Sequence, residues 1–160
     1  MRRVENFAET LRRNLPKISK YFSYRVPLGE VEDLTSEVIL IAWKKRSRCP
    51  QGSELAWLYR ISGYVLANHR RKSFRNLTLP LFDSDQTSPS AEEIFLNDHD
   101  LKSAWLQLAP KDQTVLALAA FEELDISEIA VVLGVSTNAV SIRLHRARKK
   151  LESYLKDIEG

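Results

Sequence analysis

Between residues 137 and 149 the chain carries Thr137, Asn138, Ser141, Ile142, His145 and Arg146, with Arg143, Arg148 and Lys149 among them. Hydroxyls, an amide, an imidazole and guanidinium groups at helical spacing donate and accept hydrogen bonds and carry positive charge. Such a helix can touch base edges in the major groove with its N-terminal half while flanking cations hold phosphates. A second basic stretch, His69-Arg70-Arg71-Lys72-Ser73-Phe74-Arg75, lies in the first half of the chain. From residue 76 to residue 101 there is no Lys or Arg, but Asp83, Asp85, Glu92, Glu93, Asp98 and Asp100 are present. Two basic clusters separated by an acidic stretch suggest two contacts with a polyanion.

Bond-breaking chemistry has no comparable support. The sequence shows no grouped carboxylates for a metal and no nucleophile–base constellation that stands out. Cys49 is the only cysteine and the three histidines are scattered, so neither an intrachain disulfide nor a metal-ligand spacing is available. No catalytic residue, metal or cofactor is therefore expected. Charged residues make up 28% and apolar residues 44%, a globular balance, and the net charge of +3 (24 Lys and Arg against 21 Asp and Glu) matters less than its distribution. The longest apolar runs, 38–43 and 115–121, fall far short of the ~20 residues a membrane helix needs. Glu5 and Glu9 stand where a signal peptide would be apolar. A cytoplasmic protein without membrane insertion is expected.

The elements that must position these side chains read as helices, with no strand anywhere. Apolar spacing predicts a first helix over 4–14, with Phe7, Leu11 and Leu15 in phase. Pro16 suits the first turn of a second helix running to 26, and Pro27-Leu28-Gly29 makes a turn. A third helix covers 31–46, with Leu34, Val38 and Ile41 on its inner stripe. Cys49-Pro50-Gln51-Gly52 breaks it, and Ser53 with Glu54 opens a fourth helix through 61. Gly63 marks a break before a basic helix that ends near 75. Residues 76–95 read as a flexible linker, rich in turn formers and acids at their start and without helical period there. Helices are predicted again over 91–108, 110–121, 126–133 and 137–155. The expected fold class is all-α, with two small helical domains at 1–75 and 96–160. Trp43, Trp57 and Trp105 each lie on an apolar helix and are expected in the cores.

The stretch from Ser127 to Val140 reads as a helix-turn-helix. Asp125 or Ser127 can cap its first helix, whose inner face holds Ile126, Ile129, Ala130 and Leu133. Gly134 sits where a helix end takes a left-handed residue, Val135 plugs the corner, and Ser136 is placed to cap the next helix. Val140, Leu144, Ala147 and Leu151 form the second helix's buried stripe.

Three segments in register resemble the extracytoplasmic-function sigma factors of the sigma-70 family. Leu108-Ala-Pro-Lys-Asp-Gln-Thr-Val-Leu116, then 124–133, then Val140-Ser-Ile-Arg-Leu-His-Arg-Ala-Arg-Lys-Lys-Leu151 resembles their promoter-reading region 4. Val31-Glu-Asp-Leu-Thr-Ser-Glu-Val-Ile-Leu-Ile-Ala-Trp43 resembles region 2.2, and Ala56-Trp-Leu-Tyr-Arg-Ile-Ser62 resembles region 2.3, followed by a basic region 2.4. The resemblance implies a non-enzymatic sigma factor that binds core RNA polymerase at its clamp and flap and directs it to promoters. It implies polymerase contact through Glu32, Asp33, Ser36 and Glu37. It also implies a loop near 62–66 that captures a base extruded from the minus-ten element, involving Gly63, Tyr64 and Val65. Asn68, His69, Arg71 and Lys72 would follow the adjoining DNA, and the helix at 137–149 would read the minus-thirty-five element. An anti-sigma factor is a further partner that the resemblance admits.

Tyr64 departs from the family, which often has Asn there. Ser141 stands where many members have Lys or Arg, and Ile142 where many have Ser, so the minus-thirty-five preference cannot be copied from relatives. Neither a C-terminal extension beyond residue 160 nor regulation by an appended domain is expected. A DNA-binding regulator of another type would need a receiver or ligand-binding domain, and the first half lacks the strand–helix alternation of a receiver. A DNA-acting enzyme such as a recombinase would need the missing catalytic groups, and the paired basic clusters weigh against a purely structural helical adaptor.

Overall fold

A computed structural model describes residues 2–77 and 98–160, with side chains from 6 to 75 and from 98 onward. The chain divides into two compact units, 1–91 and 92–160. Among the described residues there are seven α-helices and no strand.

The first unit packs α1 (Arg2–Ser23), α2 (Val31–Lys44) and α3 (Glu54–Leu77) pairwise on one another, with short 3₁₀ turns at Leu28–Glu30 and Arg46–Arg48 between them. On α1 the buried residues are Phe7, Leu11, Asn14, Ile18, Tyr21 and Phe22, and Val26 follows just beyond the helix. Their steps of three and four make one stripe that passes Pro16 without losing phase. The expected two helices are therefore one. Pro16 lies inside it rather than in a first turn, and the tertiary stripe outweighs the hydrogen bond that its missing N–H cannot make. Leu15 is correspondingly exposed, and Asn14 takes the inner position instead.

Gly63 likewise interrupts nothing. Leu58, Ile61, Ser62, Val65 and Leu66 are buried on one side of an unbroken α3, so the expected break at Gly63 and the loop at 62–66 are absent. On α2 the inner stripe is Leu34, Thr35, Val38 and Ala42, with Ile41 only half-buried. Three polar side chains enter this core, and each is satisfied by a carbonyl one turn earlier. Asn14 donates to Thr10 O (2.9 Å), Thr35 to Val31 O (2.7 Å) and Ser62 to Leu58 O (2.8 Å). Phe7 stands 6.0 Å from the Trp43 ring and 6.3 Å from that of Trp57, in an aromatic cluster whose two indoles are half-buried.

The second unit contains α4 (His99–Gln107), α5 (Pro110–Ala120), α6 (Ile126–Leu133) and α7 (Thr137–Glu159). Asp98 caps α4, its Oδ1 accepting from the backbone N–H groups of Asp100 (2.9 Å) and Leu101 (3.1 Å). Pro110 opens α5, where a missing N–H costs nothing. Val115, Leu116, Ala117 and Leu118 are all buried, because α5 packs on both α6 and α7. Gln113 Nε2 donates to Trp105 O (2.9 Å), tying α5 to the end of α4, and Trp105 is buried near Phe121. Of the expected linker, residues 76–77 continue α3 and 78–95 lie outside the described residues, as do 91–97 of the helix expected from 91.

Helix-interior Pro and Gly are tolerated here at a cost that substitution should recover. A Cβ at Gly63 meets nothing within 4 Å. Gly63→Ala should stabilise the protein by about 0.5–1 kcal/mol, read as a shift in the urea midpoint. Pro16→Ala should also stabilise it, by up to ~3 kcal/mol. A loss of stability in both variants would contradict an α1 and α3 that run unbroken.

Candidate nucleic-acid interface

Asp125 sets the start of the helix-turn-helix. Its Oδ1 accepts from the Glu128 backbone N–H (2.8 Å), while Glu128 Oε1 accepts from the Asp125 N–H (3.1 Å), forming a reciprocal cap on α6. Ser127, the other expected cap, instead donates its hydroxyl to Asp125 Oδ1 (2.7 Å). The Ser127 hydrogen bond, then that of the Glu128 N–H, holds the Asp125 carboxyl below the usual aspartate range. Ile129 and Ala130 are buried and Leu133 half-buried, whereas Ile126 is exposed. At the far end Gly134 adopts φ +67°, where L side chains are strained, and the N–H groups of Gly134 and Val135 both donate to Ala130 O (2.9 and 3.1 Å). Ser136 then caps α7 by accepting from the Ala139 N–H (3.1 Å).

Along α7, Val140, Leu144 and Ala147 are buried against α4, α5 and α6, with Leu151 half-buried. Thr137, Asn138, Ser141, Ile142, Arg143, His145, Arg146, Arg148 and Lys149 are all exposed. At 100° per residue, Asn138, Ile142, His145 and Lys149 point most directly away from the buried stripe, with Ser141 and Arg146 beside them. Arg143, Thr137 and Arg148 lie on the flanks. Lys150 turns aside: its Nζ lies 3.1 Å from Asp112 Oδ2 on α5, whose carboxylate is only 15% exposed.

In the first unit, Tyr64, Asn68, Arg71 and Lys72 lie exposed on α3, and Gly63 is half-buried. Tyr64 is 61% exposed, and Arg60 Nη2 donates to its hydroxyl at 3.5 Å. On α2, Glu32, Asp33 and Ser36 are exposed and Glu37 half-buried, all turned away from the buried stripe. Among the described residues no group of three His, Cys, Asp or Glu could hold a metal ion, and no single helix is long and apolar enough to cross a membrane.

Residues 10–75 match the family described as Sigma-70 region 2, and residues 99–151 the family described as Sigma-70, region 4. The chain belongs to the sigma-70 family. It is 31% identical over 134 residues to the ECF RNA polymerase sigma factor SigE of Mycolicibacterium smegmatis, covering 79% of this chain but 52% of that relative. It is 27% identical over 153 residues to the ECF RNA polymerase sigma factor SigF of Caulobacter vibrioides, covering 90% of this chain and 82% of the other. This chain thus spans only about half the length of the mycobacterial relative. The fold is similar to that of the sigma factor RpoE of Bartonella quintana, solved in complex with the anti-sigma factor NepR. There the TM-score is 0.65 at 22% identity, over 95% of this chain and 98% of that one. It is also similar to CnrH, solved in complex with the cytosolic domain of CnrY, with TM-score 0.58 at 22% identity over 94% and 88% of the two chains.

Against the region 2 expectation, two residues of this sigma factor are placed differently. Val65 is 3% exposed and belongs to the core, since the stretch that holds it is helix and not loop. His69 is half-buried, with Nε2 3.3 Å from Glu30 Oε2, so it braces the turn before α2 against α3. Spacing on α3 adds Arg60, which was not among the expected site residues, and places Arg75 and the 68%-exposed Phe74 of the basic run on the outer side with Tyr64, Asn68 and Arg71. Leu40, 56% exposed, lies at the centre of the outer face of α2, one to two turns from Asp33, Ser36 and Glu37. Counting 3.6 residues per turn from Leu34 and Val38 would have found it.

The Asp125 cap carries a pH signature. A carboxyl with a folded pKa below its unfolded value of about 3.9 adds stability that is complete above that value and lost as pH falls through the folded pKa. Asp125→Ala should therefore lower the melting temperature at neutral pH, and the gap from wild type should narrow below about pH 4. A gap that persists unchanged down to pH 2 in thermal melts would count against the cap.

Proposed function

We propose that this sigma factor binds core RNA polymerase and directs promoter-specific initiation, with α7 reading the minus-thirty-five element and the outer side of α3 engaging the minus-ten element. The observation that carries the reading is α7 itself. One side is buried against three helices, and the outward side and flanks together hold nine exposed groups of the kind that contact bases and phosphates. The division of labour follows the two units. Residues 1–75 would serve polymerase and the minus-ten element, and 96–160 the minus-thirty-five element. The protein would act in the cytoplasm, where its polymerase works.

On α2, Glu32, Asp33, Ser36 and Glu37 would meet the polymerase clamp, and the second unit its flap. A second partner is suggested by the structures of similar fold, one solved with the anti-sigma factor NepR and the other with the cytosolic domain of CnrY; we propose that this chain too is held by an anti-sigma factor. Because Tyr64 sits on an unbroken helix, its part in promoter opening is that of a stacking face beside Asn68, Arg71 and Lys72, not of a loop pocket. It acts on a strand that is already unpairing, and the neighbouring cations follow that strand's phosphates.

Reconstitution with core polymerase and sequencing of transcript starts tests the whole reading: starts should share two upstream elements, and starts no different from those of core alone would refute it. Polymerase contact is tested by Asp33→Lys with Glu37→Lys, which should weaken core affinity at least tenfold in a pull-down titration while helicity is unchanged. Equal affinity would remove this face of α2 from the interface. For melting, Tyr64→Ala should lose about 1–3 kcal/mol of single-strand contact. Permanganate reactivity at a duplex promoter should fall, transcription from a pre-melted template should be better preserved, and the melting curve of the free protein should not move. Normal opening of duplex promoters by Tyr64→Ala would exclude the stacking role.

A further inference from the structure

Ile142 is the one aliphatic side chain among the groups that α7 turns outward. It is 43% exposed, and its helical neighbours at one turn, Asn138 and Arg146, together with Ser141 and His145, are exposed polar groups. Nothing in the fold asks for an isoleucine there, since Val140, Leu144 and Ala147 already fill the side packed on α4, α5 and α6. A branched side chain at this place leaves apolar surface in water within the strip best placed to enter a groove. Only one group in the major groove of DNA matches that surface. Adenine, guanine and cytosine present donors and acceptors there, whereas thymine adds a methyl group at C5.

We propose that Ile142 is a specificity-determining residue that packs on the methyl group of a thymine in the minus-thirty-five element. The inference rests on the proposed reading of α7 as the minus-thirty-five helix and adds the base it selects. Ile suits the task because a β-branched side chain on a helix keeps one dominant χ1 rotamer, so its methyl groups are held in place before DNA arrives. Asn138, one turn earlier on the same strip, supplies the complementary polar contact, since its amide can pair with the N6 and N7 edge of adenine. The two together fit a site with an A·T pair under Ile142 and adenine within a base step or two. Arg143 and Arg148, on the flanks, remain available for phosphates and add affinity without choice of base.

The test uses the full chain assembled with core polymerase on a promoter taken from its mapped transcript starts. Each thymine of the upstream element is replaced in turn by deoxyuridine, which removes the methyl group and alters no hydrogen-bonding edge. At one position wild-type binding should weaken about fourfold, the scale of one buried methyl group. Ile142→Ala should bind the thymine duplex about as weakly and show no difference between thymine and uracil at that position. Helicity and melting temperature of the variant should match wild type, because the side chain is exposed. The inference is overturned if no position is uracil-sensitive, if Ile142→Ala keeps the full uracil effect, or if the mapped element contains no thymine. In each of those cases promoter-specific initiation still stands. If no promoter-specific starts are found at all, both the proposed function and this inference fall.

Discussion

Burial of Val140, Leu144 and Ala147 fixes which way α7 faces, and most of what the second unit can do follows from that. Three helices pack on this one stripe, so α7 cannot roll without exposing side chains whose burial is worth about 1–3 kcal/mol each. With the roll fixed, a rotation of 100° per residue decides the rest. Asn138, Ile142, His145 and Lys149 must point outward, whatever their own preferences. The turn before α7 sets the remaining freedom, its direction, through Gly134 in the left-handed region and Ser136 on the first free N–H groups. A reading surface is thus assembled by residues that never touch its ligand.

The same dominance of a buried stripe explains where the sequence could be read and where it misled. The helix-turn-helix was legible because local and tertiary signals agree there. A capping residue, a left-handed Gly, a second cap and an in-phase apolar stripe all specify the same boundaries. At Pro16 and Gly63 they disagree. Each carries a local cost of roughly 1–3 kcal/mol in a helix interior, which is why each looked like punctuation. The stripes through Leu11, Asn14 and Ile18 and through Leu58, Ser62 and Val65 run on in phase, and several buried side chains outweigh one weak link. Reading those stripes across the Pro and the Gly, with a polar residue admitted to each, would have given the two long helices. The polar members, Asn14 and Ser62, hid the pattern because their carbonyl partners one turn back cannot be seen from residue type alone.

The candidate site was legible to a similar degree and for related reasons. All nine expected residues on α7 are exposed, because a helix with one clear buried stripe leaves no ambiguity about its other side. On α3 the basic run gave composition without direction. Assigning Gly63, Tyr64, Val65, Asn68, His69, Arg71 and Lys72 to one surface ignored that a helix distributes neighbouring residues around its axis, which sends Val65 inward and His69 sideways to Glu30.

Charge shows the same distinction between composition and placement. Each basic run loses a member to a carboxylate within its own unit, His69 to Glu30 and Lys150 to Asp112. In each pair one partner is partly covered and the other more open to water, so its worth to stability is modest and its main effect is to hold one element against another. Asp112 is mostly covered, so the Lys150 contact fastens α7 to α5 nearly four turns beyond the Ser136 cap, at the end of the strip that must stay rigid. Lys150 is thereby drawn away from the outward face while Arg146 and Lys149 remain on it. A basic run in the sequence therefore serves two purposes in the fold. Some of its cations are presented to a polyanion, and others orient the helix that presents them.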